Sequence, residues 1–451
     1  MTRPHQVLIL FGSTGSLARE KIFPALYQLE KLGLLGDDFL CIGVGRQEIT
    51  SLELLERSSV VEHAGSTTWN KLVSKLRYCK LQIDDLSTYV SLQQVLEELG
   101  KQADLSFFLA VSTKFFFDIV SCLIKSSCWR PERSSLFLEK PFGHDFKSSL
   151  ELQKQLDELV NSDSIHLIDH YLCKPGVGSL LEIRCLPSIS RLWNSTNIQS
   201  IHVIATESIG INQRANFFNQ QGQVKDMIQS HLLQVLSLGC ISMSEEVSIR
   251  ERKENFLSSL RFSTKCPIQI GQYSNGEIDG VQVCSYLQEK DITNESKTET
   301  FAAMRFTSVL PEWKDVDFEL FTGKRLNNKR TEVIVLFRSG ERMIIQSEPE
   351  IKIVGFPKEV NDIRIEIEKE WKSRLFGYEA ILKACLYKEG ASFLSATEAS
   401  LGWKSLENYF LSPGEHQLQI YRAGSWGPTA ALQVYTTIHK HLQEKESEAK
   451  Q

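Results

Sequence analysis

Residues 6–20 read QVLILFGSTGSLARE, and the fold turns on how this stretch is taken. QVLILFG is an apolar run short enough for a strand buried on both faces, and it breaks at glycine. The pattern that follows, LAREKIFPALYQLEKLGLL over 17–35, has helical spacing. Between the two, Gly12 and Gly15 permit a tight turn and close approach of a ligand to backbone. The helix start then offers unbonded N–H groups and a positive dipole end to a diphosphate. The spacing is GxxGxxA rather than GxGxxG, and a strand–helix turn without a ligand reads the same way. Pro24 should kink the helix or restart it.

The alternation continues along the chain. FLCIGVGR (39–46), LSFFLAV (105–111) and SSLFLEK (134–140) read as further buried strands, separated by amphipathic stretches such as STYVSLQQVLEEL (87–99). Strands alternating with helices imply an α/β domain with a doubly wound parallel sheet. From about residue 180 the texture changes to longer polar–apolar alternation: SIHVIATESI (200–209), TEVIVLFRS (331–339), ERMIIQSEPEIKI (341–353) and DIRIEIEKE (362–370). These predict a large α+β domain with a mostly antiparallel sheet covered on one face, with helices at 224–239 and 376–387. The expected division is 1–172 and 173–451.

With 451 residues and a formal net charge of −5, the chain lacks the cationic excess of a nucleic-acid or anionic-membrane binder. Clustered cations are correspondingly informative. The ten cysteines form no CxxC pair and no zinc-ligand spacing, so no metal is expected and reduced thiols are the simplest reading. No segment approaches twenty apolar residues, which predicts a cytoplasmic protein that does not enter a membrane.

Two strand ends carry candidate ligand groups. After the second strand stands Arg46 in VGRQE, where an acid would suit ribose hydroxyls; a cation suits a 2′-phosphate and predicts NADP, with Glu48 nearby opposing that preference. LFLEKPFG ends with Lys140 before Pro141, an X-Pro bond open to the cis form; an ordinary Lys-Pro turn is the plainer alternative. Downstream, IDHYLCKPGVG (168–178) crowds an acid, an imidazole, a phenol and an amine together. Within it Cys173 is either a reactive thiol, activated by neighbouring cations, or a small filler.

Taken in order, GSTGSLAREKIFP, LEKPFG, IDHYLCK, KDMIQSHLLQVL, GKRLNNKRTEV and AGSWGP resemble the glucose-6-phosphate dehydrogenase family across nearly the whole chain. The resemblance implies a Rossmann-type domain followed by the α+β domain, a homodimer formed through the latter's sheet, and a sugar-phosphate substrate. It implies His231 as general base and Asp169 as the carboxylate that orients it. His170, Tyr171 and Lys174 match the phosphate cradle. Lys140 matches the lysine between sugar and nicotinamide, and Glu207, Asp226, Lys324 and Gln346 match sugar-contacting positions. Gly12, Ser13, Thr14, Gly15, Ser16, Leu17 and Arg46 match the NADP site, with Phe116 where the family more often has tyrosine.

The chemistry suits these residue types. Oxidising a hemiacetal needs a base for the anomeric hydroxyl while C1 gives up hydride, and a carboxylate on the base's other nitrogen fixes its tautomer. Without the resemblance, His231 among apolar neighbours would read as a core histidine. The chain departs from the family at Ser16, Val111–Thr113, Cys173, Pro175 and the segment GINQRANFFNQQG (210–222). Ile344 stands where a second, structural NADP site needs arginine, so that site is not expected. These departures leave two other readings: a dehydrogenase of a different hexose 6-phosphate, and a non-catalytic NADP-binding paralogue.

Overall fold

A computed structural model describes residues 6–211, 214–244, 246–263, 265–348, 350, 352–355, 370, 374–389, 393–412 and 414–449. The chain folds as two compact units, residues 1–173 with 375–400, and residues 174–374 with 401–451.

In the first unit Val7–Phe11 are fully buried, as a strand covered on both faces requires. This strand, β1 (Gln6–Phe11), lies inside a six-stranded sheet with β2 (Phe39–Gly45), β3 (Leu76–Lys80), β4 (Asp104–Leu109), β5 (Ser134–Leu138) and β6 (Ile165–Leu167). The order is β3-β2-β1-β4-β5-β6 and every pairing is parallel. Strand order reverses between β1 and β4, so the crevice at their carboxyl ends is where such a sheet takes a ligand. After the glycine loop, residues Ala18–Ile22 wind in a wide π turn before the α-helix Phe23–Lys31. Pro24 sits in the first turn of that α-helix, where its missing N–H costs nothing, so it restarts the helix.

The first unit takes back residues 375–400, which the expected contiguous division at 172/173 assigns to the second domain. Helix Gly377–Tyr387 buries Ile381, Leu382, Cys385 and Leu386 in the same core as Leu8, Leu10 and Phe108. Gln6 and Ser106 donate to the carbonyls of Leu386 (3.2 Å) and Cys385 (3.1 Å), and Leu167 and Leu394 exchange backbone hydrogen bonds. Sequence periodicity found this helix but could not assign it to a core.

The second unit is built on a nine-stranded sheet: β7 (Ile198–Thr206), β8 (Leu260–Phe262), β9 (Gln269–Ser274), β12 (Phe301–Ser308), β13 (Asp317–Gly323), β14 (Arg330–Phe337), β15 (Arg342–Glu348), β16 (Lys352–Gly355) and β17 (Leu418–Arg422). A short hairpin, β10 (Gly276–Ile278) with β11 (Val281–Val283), stands apart. The order is β16-β15-β14-β7-β13-β12-β9-β17, with β8 also on β12; only β7–β13 and β9–β17 are parallel. The strand expected over 362–370 falls almost wholly outside the described residues.

Two buried carboxylates are held in this sheet by arginine and histidine side chains. Glu319 on β13 bonds His202 of β7 (2.7 Å) and Arg305 of β12 (2.9 Å). Glu332 on β14 bonds Arg330 (2.8 Å) and His441 of the C-terminal helix (2.6 Å). Burial pushes the Glu332 carboxyl upward, but His441 and Arg330 outweigh it and leave it below the usual range. A depressed carboxyl stabilises the fold above its unfolded pKa, and the contribution is lost as pH falls through the folded value. Glu332→Gln should therefore cost about 3 kcal/mol in urea unfolding at pH 7, and the gap to wild type should narrow in acid.

Candidate active site

In the first unit the glycine loop is shaped by what it presses against. Gly12 has φ +79°, and a Cβ there would lie 2.4 Å from the carbonyl of Ala110 at the end of β4. Only glycine lets the turn fit between β1 and β4. Ser13 is fully buried and ties the loop sideways, its hydroxyl donating to the Val44 carbonyl at 3.0 Å. Gly15 and Ser16 are exposed and the helix starts at Ser16, so the loop leads into an accessible helix start of the kind that cradles a diphosphate. The loop thus fits a dinucleotide.

After β2, Arg46, Gln47 and Glu48 are exposed. Glu48 is bound to Lys80 at the end of β3 (2.6 Å), and that hydrogen bond and charge hold its carboxyl below the usual range. Arg57 reaches the Gln47 side chain (2.6 Å). The acid that opposes a 2′-phosphate in the sequence is therefore neutralised locally. Phe116, expected among the cofactor contacts, opens a helix with no exposed surface, so its ring packs in the core.

The Lys140–Pro141 bond is cis. Beside it Glu139 is half-buried and accepts a hydrogen bond from Tyr378 (2.9 Å). Burial raises its carboxyl to about 7, with the Asp169 charge adding to the rise and Tyr378 and Lys140 opposing it. Asp169, just past β6, is 2% exposed and accepts the Tyr171 backbone N–H at 2.9 Å. His170 meets Tyr171 edge-on, with ring centroids 5.1 Å apart. Burial, then the Asp169 and Glu389 charges, push the Cys173 thiol up to about 12; the cysteine is a protonated filler, not a reactive thiolate.

In the second unit His231 is fully buried on helix Val224–Leu232, which is π-wound and continues as the α-helix Leu233–Cys240. In an α-helix residues five apart differ by about 140°, so Asp226 and His231 would diverge. The i→i+5 winding brings them towards one face. Both ends of this helix are held. At its start Glu299 accepts the Val224 N–H (3.1 Å), beside Gly222 with φ +68°. At its end Arg184 donates to the carbonyls of Leu238 (2.8 Å) and Ile241 (2.6 Å), Trp193 to Gly239 (2.7 Å) and Trp313 to Cys240 (2.7 Å).

The remaining expected residues of this unit gather at strand ends. Lys324 pairs with Glu207, each following its strand, β13 and β7. Gln346 on β15 is 3% exposed and donates to the Glu350 carbonyl (3.0 Å). Lys174 precedes the four-residue helix Pro175–Gly178, with proline at the first helical position, where its missing N–H costs nothing. Gly176 explains the glycine after it: a Cβ would lie 2.7 Å from the Ser347 hydroxyl. The close approach sets Lys174 beside Glu348 (2.6 Å) and Thr331 (3.0 Å), and Lys329 closes on the same Glu348 (2.5 Å).

A strand–glycine loop–helix cradle in one unit, and in the other a buried histidine and a set of strand-end cations, belong to a chain that matches one family along nearly its whole length. The family model described as glucose-6-phosphate dehydrogenase, NAD binding domain, matches residues 9–179, and its C-terminal domain model matches 187–442. The chain belongs to the glucose-6-phosphate dehydrogenase family. It is 30% identical to glucose-6-phosphate 1-dehydrogenase of Chlamydia pneumoniae, over 95% of this chain and 94% of the relative. The Bacillus subtilis enzyme of the same name is 28% identical, over 94% and 96%. A solved glucose-6-phosphate dehydrogenase in complex with its substrate glucose 6-phosphate superposes with a TM-score of 0.85 at 27% identity, covering 96% of this chain and 97% of that one.

Family membership makes the chain an oxidoreductase acting on a CH–OH group, with an NAD(P)-binding first domain. Sequence reasoning missed Lys329, Thr331 and Glu348, whose association depends on β14 pairing with β15 and on the β-bulge that sets Thr331 opposite Glu348. It also missed the donors at the end of the His231 helix, because Arg184, Trp193 and Trp313 lie far apart in the chain and carry no motif. The clamp at the start is testable. Gly222→Ala places a methyl group 2.3 Å from the Glu299 carboxylate in a left-handed backbone. It should lower kcat about tenfold or more while circular dichroism keeps the wild-type helix content.

Proposed function

We propose that this chain oxidises glucose 6-phosphate at C1 to 6-phosphogluconolactone with NADP, as the first step of the pentose phosphate pathway. Match to both family domains over nearly the whole chain is the observation that carries this reading. When bound, the dinucleotide supplies the hydride acceptor. His231 takes the proton of the anomeric hydroxyl, and Asp169 orients the imidazole and stabilises its protonated form. Lys140, Glu207, Asp226, Lys324 and Gln346 orient the sugar, while His170, Tyr171 and Lys174 hold its phosphate. That remote anchor supplies orientation at the reacting carbon.

Gly12 to Leu17 hold the diphosphate, and Arg46 faces the 2′-phosphate. The Lys80–Glu48 pair supports NADP over NAD, because it offsets the charge of Glu48, two residues from Arg46. The same reading makes the protein a cytoplasmic homodimer. Among the described residues, no helix is long and apolar enough to cross a membrane.

Steady-state kinetics at the nicotinamide absorbance test the assignment. His231→Asn should lower kcat about 10³-fold with a far smaller change in KM for the sugar. Arg46→Ala should raise KM for NADP and leave KM for NAD nearly unchanged. Equal turnover by wild type and His231→Asn would remove His231 as base. Faster turnover of another hexose 6-phosphate would change the substrate, and NADP binding with no turnover in wild type would point to a non-catalytic paralogue.

A further inference from the structure

The Glu348 carboxylate is held by the donor set of a phosphate site. One oxygen accepts from the Lys174 ammonium at 2.6 Å and the Thr331 hydroxyl at 2.6 Å, and the other meets the Lys329 ammonium at 2.5 Å. Two ammonium groups and a hydroxyl converging on one anion is how proteins hold a phosphate oxygen cluster. Here the anion is part of the chain. Its position is fixed by the sheet: Glu348 closes β15 and pairs with Thr331, the second residue of β14, just past a β-bulge in the ladder. Gly176 fixes the other side, since its lack of a Cβ lets the segment bearing Lys174 settle against Ser347.

Charge makes the arrangement consequential. Burial alone would raise the Glu348 carboxyl, but Lys174, Lys329 and Thr331 together bring it down to about 2, so it stays ionised throughout the working pH range. Burial at the same time lowers the Lys174 ammonium, with Glu348 opposing that fall. Two cations facing one carboxylate leave the cradle one net positive charge where it would otherwise present two. An incoming phosphate monoester carries close to two negative charges at neutral pH. It must either displace Glu348 from Lys174 and Lys329 or share them with it.

We propose that Glu348 is a built-in competitor for the sugar's 6-phosphate at Lys174, Lys329 and Thr331, and so sets the affinity of this chain for its substrate. The inference rests on the functional reading above, in which Lys174 holds the phosphate. Because Glu348 acts on the groups that would hold the phosphate, its effect falls on sugar binding and not on the proton or hydride step.

The experiment compares wild type with Glu348→Gln, using Glu312→Gln, an exposed carboxylate of the same unit, as a charge control. Glu348→Gln should lower KM for glucose 6-phosphate about tenfold, and the inhibition constant of inorganic phosphate should fall in parallel. Glu312→Gln should change neither. Glu348→Thr, which removes the charge with a strand-forming residue, should act in the same direction and covers the case in which glutamine disturbs the fold. An unchanged or raised KM in both Glu348 variants would overturn the proposal, because the carboxylate would then be supporting Lys174. If neither wild type nor variant oxidises glucose 6-phosphate, the functional reading fails. Calorimetry with inorganic phosphate then decides the present inference: tighter binding by Glu348→Gln upholds it, and equal binding overturns it.

Discussion

The last carbonyls of helix Leu233–Cys240 end in the protein interior, where water cannot satisfy them. Arg184, Trp193 and Trp313 supply the missing donors, and Glu299 accepts at the opposite end of the same continuous helical run. This run carries Asp226 and His231, so their placement depends on a rod fixed at both tips. A buried guanidinium would be costly without partners; here two carbonyls accept from it. The placement of these two side chains therefore depends on hydrogen bonds made by residues distant from them in sequence.

A second constraint is the placing of charge at strand ends. In the first unit Glu139 and Asp169 follow neighbouring parallel strands, β5 and β6, and the Asp169 charge helps to keep Glu139 near neutrality. In the second unit the ends of β7, β13, β14 and β15 bring Glu207, Lys324, Lys329, Thr331 and Glu348 to the same edge of the sheet. An acidic chain with few cations to spare gathers them there and then balances them with its own carboxylates. Such pairing prevents buried cations from standing alone, and it also makes each of them less available to a ligand.

Much of this was legible in the residues. The buried run before Gly12, the strands at 39–46, 105–111 and 134–140, and the helix around His231 all follow from apolar spacing, since covered strands and helices must bury most of their residues. Cis geometry at Pro141 is a possibility that the X-Pro bond itself raises. What escaped was non-local or geometric. The return of helix Gly377–Tyr387 to the first core depends on packing, not periodicity. The π winding of Val224–Leu232 leaves no mark in apolar spacing. Phe116 was read as a cofactor contact because its position matches one, yet a phenylalanine with nothing polar to satisfy is free to sink into the core. Glu348 lies in an alternating stretch where nothing in the spacing marks it, and only the pairing of β14 with β15 brings it to Thr331.

The central claim is that hydrogen leaves C1 of the sugar phosphate as hydride while His231 holds the hydroxyl proton. The most direct measurement supplies glucose 6-phosphate deuterated at C1 together with NADP and determines the mass of the reduced nicotinamide. Hydride transfer from C1 predicts one deuterium in the reduced cofactor for each sugar oxidised. Reduced cofactor free of deuterium, or sugar returned unoxidised while the cofactor stays bound, would contradict it.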